Sequence, residues 1–214
     1  MKVTRKKIDW LHENAANIYP YGSMVYGTYE EGKSDKDFIV IVPTYLQHLD
    51  KQQWECDDEQ YSIYSVNTWR EKLNRHDIDA LECQFLPNWL VIKQLVCFDF
   101  TLKTALIRQS VSGTASNSWV KCKKKLTIQK DFAPRVGKKS LWHALRILDF
   151  GTQLMIHKRI INYGSCNSCY DEIVNCPVDN WGYYKEFYQP IYNSMKSQFK
   201  EAHRMNADTA EELL

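Results

Sequence analysis

A chain of 214 residues that is 44% hydrophobic and 25% charged has the material for a folded core and is not a disordered tail. Its formal net charge of +2 excludes a uniformly polyanionic or polycationic protein, and no apolar stretch reaches the length of a bilayer. The basic start Met1–Asp9 lacks the apolar centre of a signal peptide, so a cytoplasmic location with no membrane partner is expected, with all seven cysteines as reduced thiols.

Val3 to Asn17 has Ile8, Leu11 and Ala15-Ala16 at helical spacing and predicts a first helix. Strands are expected near Tyr19–Gly22 and over Lys36–Val42, closed by Pro43, with a short helix over Thr44–Leu49. Glu59–Val66 reads as a strand, and Asn67 is placed to cap a helix running to about His76. Pro87-Asn88 marks a boundary, giving domains 1–88 and 89–214. Beyond it the periodicity is helical: 99–126, with Gly113 as a point of interruption, then 138–161, then Trp181 to Met205. The tail from Asn206 is expected to fray. The fold class is α+β, a short twisted mixed sheet followed by a helical domain. Cys166 and Cys169, with Cys176 nearby, show no evident fourth zinc ligand, and ordinary thiols are expected there.

Charge is unevenly spread. Residues 1–88 carry ten Lys/Arg against fifteen Asp/Glu, whereas residues 111–160 carry eleven against two. The basic centre runs through Lys121, Lys123, Lys124, Lys125, Lys130, Arg135, Lys138 and Lys139. It reads either as a solvated helix face or as a cradle for a triphosphate or an RNA backbone across residues 121–139.

The chemistry concentrates between residues 19 and 42. Phe38–Val42 is an unbroken, β-branched apolar run, so a buried strand begins with Asp35-Lys36-Asp37. Alternation puts Asp35 and Asp37 on one face and Lys36 on the other. Two like charges beside so apolar a run favour a bound cation, and carboxylate oxygens suit Mg²⁺ or Mn²⁺. Upstream, Gly22-Ser23 forms a turn after a short strand, where free backbone N–H groups can meet an anion.

The string Gly22-Ser23-Met24-Val25-Tyr26-Gly27-Thr28, followed by Ser34-Asp35-Lys36-Asp37, resembles the signature of the DNA polymerase β-type nucleotidyltransferase superfamily. It looks most like the minimal branch and related phage and bacterial stand-alone enzymes. The resemblance implies that Gly22 and Ser23 hold a nucleoside triphosphate and that Asp35 and Asp37 are catalytic metal ligands. It implies transfer of a nucleoside monophosphate to a hydroxyl, with release of pyrophosphate. The acceptor classes are a protein side chain or RNA. The family often has a third acid on a neighbouring strand, yet Gln60–Val66 contains none. Asp58, just before it, is the candidate third metal ligand. By resemblance the helix bearing Lys139, His143 and Arg146 would close on the nucleotide, with Arg146 reaching phosphate. Glu82, set among apolar residues, is expected in an ion pair or a functional role. Because the third acid is insecure, a catalytically degenerate fold that binds RNA, nucleotide or a toxin-like partner stays open.

Overall fold

The computed structural model describes residues 1–211, with side chains through residue 206. Two compact units divide the chain, one spanning Met1–Thr101 and the other starting at Leu102. Among the described residues, no helix is long and apolar enough to cross a membrane.

The first unit is α+β. Helix α1 (Arg5–Asn14) leads to strand β1 (Asn17–Tyr21), the single turn α2 (Ser23–Tyr26) and strand β2 (Lys36–Val42). A 3-10 helix (Thr44–Leu49) connects to β3 (Gln53–Cys56) and β4 (Glu59–Ser65). Helices α3 (Val66–Asn74) and α4 (Ile78–Gln84) and the short β5 (Lys93–Gln94) complete the unit. The sheet order is β3-β4-β2-β1-β5. β2 and β4 run parallel and the other pairs antiparallel, so the sheet is mixed as expected.

Both faces of β2 are covered, which is why its sequence is apolar without alternation. Val40 and Val42 join Trp54, Tyr61 and Ile63 in a core with Ile8 and Leu11 of α1. Ile39 and Ile41 point the other way, alongside Tyr19 and Tyr64 of the flanking strands. There the fully buried Trp69 of α3 stacks on Tyr19 at 6.2 Å between ring centroids and lies 5.7 Å from Tyr64.

Some local expectations shift. Ser65, not Asn67, caps α3: its hydroxyl accepts from the Thr68 N–H at 3.2 Å, as the strand's last residue becomes the helix's first partner. The unit also continues past residue 88. Buried Asn17 on β1 accepts from the N–H groups of Leu95 and Val96 and donates to the Val96 carbonyl. That clamp fastens a strand of two residues to the sheet edge.

The second unit is helical: α5 (Thr104–Thr127), α6 (Pro134–His157), the short α7 (Tyr170–Val174) and α8 (Trp181–Glu211). Helix α5 starts later than expected and passes Gly113 without a break. Helix α6 starts earlier, because Pro134 at its first turn has a backbone angle preset for helix and no N–H to satisfy. Lys138 is buried, donating to the Cys176 carbonyl and pairing with Asp179, so it ties α6 to the segment before α8. Helix continues from Asn206 to Glu211, and residues 212–214 of the expected frayed tail lie outside the described residues. All seven cysteines are free thiols.

Candidate active site

Gly22 ends β1 with φ +67° and ψ −143°, a conformation that side chains resist. A Cβ built there would lie 2.4 Å from an Asp37 carboxylate oxygen. The glycine is therefore required twice, by its backbone angle and by the acid pressed against it. From this point α2 makes one turn, with the N–H groups of Val25 and Tyr26 returning to the Gly22 carbonyl. Gly27, at φ +74°, ends it in the left-handed conformation. Ser23 thus opens a helical turn, where the leading N–H groups point away from the helix.

A buried contact fixes this turn. The Tyr26 hydroxyl donates to a Glu82 carboxylate oxygen at 2.5 Å, and Tyr26 and Glu82 are 5% and 1% exposed. Glu82 belongs to α4, so the turn is anchored to a helix packed on the sheet. Tyr26 also meets Tyr21 edge to face at 6.2 Å. The sequence signal for this anchor was Glu82, the one acid within Ala80–Leu86; what it could not show was the hydroxyl partner 56 residues away.

Asp35 and Asp37 lie at the start of β2. Asp37 is in register with Tyr21 on one side and Gln60 on the other. The Gln60 amide donates to Asp35 at 2.9 Å, so both acids are on the face bearing Gln60. A cavity of ≈ 320 Å³ opens there, lined by Tyr21, Asp37, Gln60, Tyr64, Asp79 and Glu55 among others. Glu55 was missed from sequence. It sits on β3 opposite Gln60 and brings a further carboxylate to the rim. Asp79 is engaged by Lys72 at 3.0 Å. Burial works to lower the Lys72 pKa, but Asp79 and Asp77 outweigh it and hold the ammonium above its ordinary value.

Asp58 does not join Asp35 and Asp37. Residues 57 and 58 form the two-residue turn of the β3–β4 hairpin, with Asp57 at φ +55°. From there Asp58 pairs with Lys36 at 2.9 Å, and Lys36 is the residue that alternation turns away from the two site acids. The hydrogen bond from Lys36 is also the main reason the Asp58 pKa is lowered. The expected third ligand is thus a turn residue held by a lysine.

Lys139, His143 and Arg146 share a face of α6 in the second unit. Arg146 is 1% exposed, with its guanidinium over the rings of Trp142 and Phe150 at 5.2 and 5.0 Å. It also meets the His143 Nδ1 at 2.7 Å. Guanidinium has only donors, so this nitrogen accepts and the imidazole is neutral. Burial, then Arg146 and Lys121, push the His143 pKa down to about 3. Within the helical unit Arg146 is thus packed between two aromatic rings and an imidazole. Trp142, Arg146 and Phe150, four residues apart on one helix, were the available signal.

Residues 1–97 match the family model of the nucleotidyltransferase domain. The matched residues lie within the first unit, and the model they match belongs to the polymerase β-type nucleotidyltransferase superfamily. A search of curated proteins gives no match. The domain's general chemistry is transfer of a nucleoside monophosphate. Two carboxylates on one face fit a divalent cation that keeps waters and takes its remaining oxygens from substrate. Among the described residues, no three His, Cys, Asp or Glu side chains gather closely enough to hold a metal ion by themselves.

Proposed function

We propose that the nucleotidyltransferase domain moves a nucleoside monophosphate from an NTP to a hydroxyl of a protein or RNA acceptor, releasing pyrophosphate. The observation that carries this reading is the contact of Gly22 with Asp37. It presses the turn that would hold phosphate directly against a carboxylate that would hold metal.

In this reading Gly22 and Ser23 present backbone N–H groups, and the Ser23 hydroxyl, to the triphosphate. Asp35 and Asp37 hold Mg²⁺ or Mn²⁺, which supplies charge neutralisation at the reacting phosphate and at the attacking and leaving oxygens. Tyr26 and Glu82 keep the turn from shifting, since a misplacement of 1 Å is worth about 10²-fold in rate. Gln60 orients Asp35 through its amide. The exposed Lys121, Lys123 and Lys124 on α5, with Lys130 and Arg135 beyond it, support an anionic acceptor such as RNA. The half-buried Lys139 extends this set. A cytoplasmic setting fits the free thiols.

A second reading has one observation in its favour. Gln60, a neutral amide, stands beside Asp37 on the strand where a third acid would be expected, as in a degenerate domain that binds nucleotide, RNA or a toxin-like protein without turnover.

The deciding experiment supplies each of four α-labelled NTPs with Mg²⁺ or Mn²⁺ to protein and RNA fractions of a bacterial lysate. Label that depends on Asp35 and Asp37 supports transfer, and its fraction identifies the acceptor. NTP binding without label in either fraction would favour the degenerate reading.

A further inference from the structure

Within the second unit, α5, α6 and α8 enclose a separate cavity of ≈ 210 Å³. Its floor is made by Leu148, Tyr192 and Phe199, all buried. The floor owes its shape to Gly151. A Cβ there would come 2.6 Å from Val111 Cγ1 and 2.9 Å from Phe199 Cε2, so the missing side chain lets the Phe199 ring lie between helices.

The rim is cationic. Arg108 comes from α5, and Lys196 and Lys200 come from α8, one helical turn apart on the same face. The Ser112 hydroxyl adds a polar group, and among the described residues no carboxylate lines the cavity. Among the described residues, none of the three cations forms an ion pair. The nearest acid in sequence, Glu201, is taken by Arg204 through two hydrogen bonds at 3.0 and 2.6 Å. Lys196 is held with its ammonium 5.5 Å from the centre of the Tyr192 ring, which aims it over the floor.

Three like charges converging on one cavity repel one another, and an anion between them removes that cost. The cavity is smaller than the ~300–1,000 Å³ of sites that enclose a whole small molecule. A tetrahedral, multiply charged oxyanion fits its size and its donors.

We propose that Arg108, Lys196 and Lys200 form a phosphate-binding subsite of the helical unit, taking free phosphate or pyrophosphate, or the phosphate groups of a nucleotide whose base remains outside. This proposal is independent of the transfer reaction.

The test uses the full chain carrying Asp35→Asn and Asp37→Asn, in EDTA, to remove metal-dependent binding at the first unit. Isothermal titration is run with phosphate, pyrophosphate and ADP at about 150 mM salt, where diffuse attraction is screened. Saturable binding of one equivalent of pyrophosphate is expected. Adding Lys196→Gln and Lys200→Gln should weaken it about tenfold or more, as lost charge-assisted hydrogen bonds predict. Adding Lys2→Gln and Lys6→Gln, which removes the same charge from the exposed surface of the first unit, should change it less than about twofold. Thermal melts confirm that each variant is folded. ADP that competes with pyrophosphate and binds more tightly identifies a nucleotide source; ADP that binds no better than phosphate identifies the free anion. Equal weakening by the two lysine pairs, or no saturable binding by any of the three probes, overturns the proposal.

Discussion

Two groups of acids lie within the first unit, and they are held in different ways. At the β3–β4 turn, Arg5 bonds Asp57 at 2.8 Å and also bonds Glu59, while Lys36 bonds Asp58 at 2.9 Å. On the opposite side of β2, Asp35 accepts from a neutral amide and Asp37 lies against the Gly22 backbone beside a cavity. The first group has its countercharge built in from the same chain. The second is arranged around a turn and an open volume. Counting acids therefore does not tell the two groups apart, whereas what each acid touches does.

The largest expected effect breaks the second group. Asp35→Asn with Asp37→Asn should lower transfer from labelled NTP by at least about 10²–10³-fold, the range seen when a key electrostatic contact to the reacting centre is lost. The thermal midpoint should stay near that of the parent. Retained transfer would remove these acids from the chemistry. Gly22→Ala follows. The new methyl must displace the Asp37 carboxylate and adopt φ +67°, so both stability and activity should fall, with activity down about 10²-fold. If the alanine variant is as active as the parent, the contact of the turn with Asp37 does not position the reacting groups.

Glu82→Ala tests the anchor beneath the turn. It leaves the Tyr26 hydroxyl without its carboxylate acceptor in a buried place, at a cost of about 2 kcal/mol in denaturant unfolding. KM for NTP should rise with it, and Glu82→Gln, which keeps an acceptor, should recover much of both. An alanine variant with altered stability and unchanged KM would make Glu82 purely a core residue.

These contacts also explain how far sequence could go. β2 was legible to the residue because Phe38–Val42 is β-branched, apolar and closed by Pro43. The Gly-Ser turn and its two acids were legible because the motif is local and each part has a steric or charge reason. β3 was not, since Gln53–Cys56 offers only two inward residues, Trp54 and Cys56. β5 depends on Asn17, far away in the chain. Asp58 and Arg146 have partners that sequence could not show, for one shared reason. Charged residues advertise their charge in sequence, while the Lys36 or the aromatic rings that claim them are fixed only on folding. The cationic rim of Arg108, Lys196 and Lys200 escaped notice likewise, because it joins helices far apart in the chain.

A smaller effect concerns the helical unit. The unfolded His143 takes up its proton near 6.5, whereas the folded side chain holds off until about pH 3. Its contribution is complete above 6.5 and is lost as the pH falls toward 3, because the unfolded state then binds the extra proton. Melts of the full chain should show a midpoint that declines through this acid window, with a shallower decline in His143→Gln. Parallel profiles would mean that other groups set the acid sensitivity.

Asp58→Asn is expected to do least, and for that reason it separates the two acid groups most cleanly. Asp58 and Lys36 are both well exposed, 52% and 38% by side chain, so water screens their attraction and little stability rests on it. The asparagine keeps the turn's shape and loses only the charge. If the hairpin acids are structural, transfer, metal dependence and melting should all stay close to the parent, while Asp35→Asn alone already lowers activity. A strong loss on Asp58→Asn, with an intact melt and a raised Mg²⁺ requirement, would show that the Lys36 pair opens during the reaction. Asp58 would then swing to the other side of β2, and the difference between the two acid groups would be one of state rather than of construction.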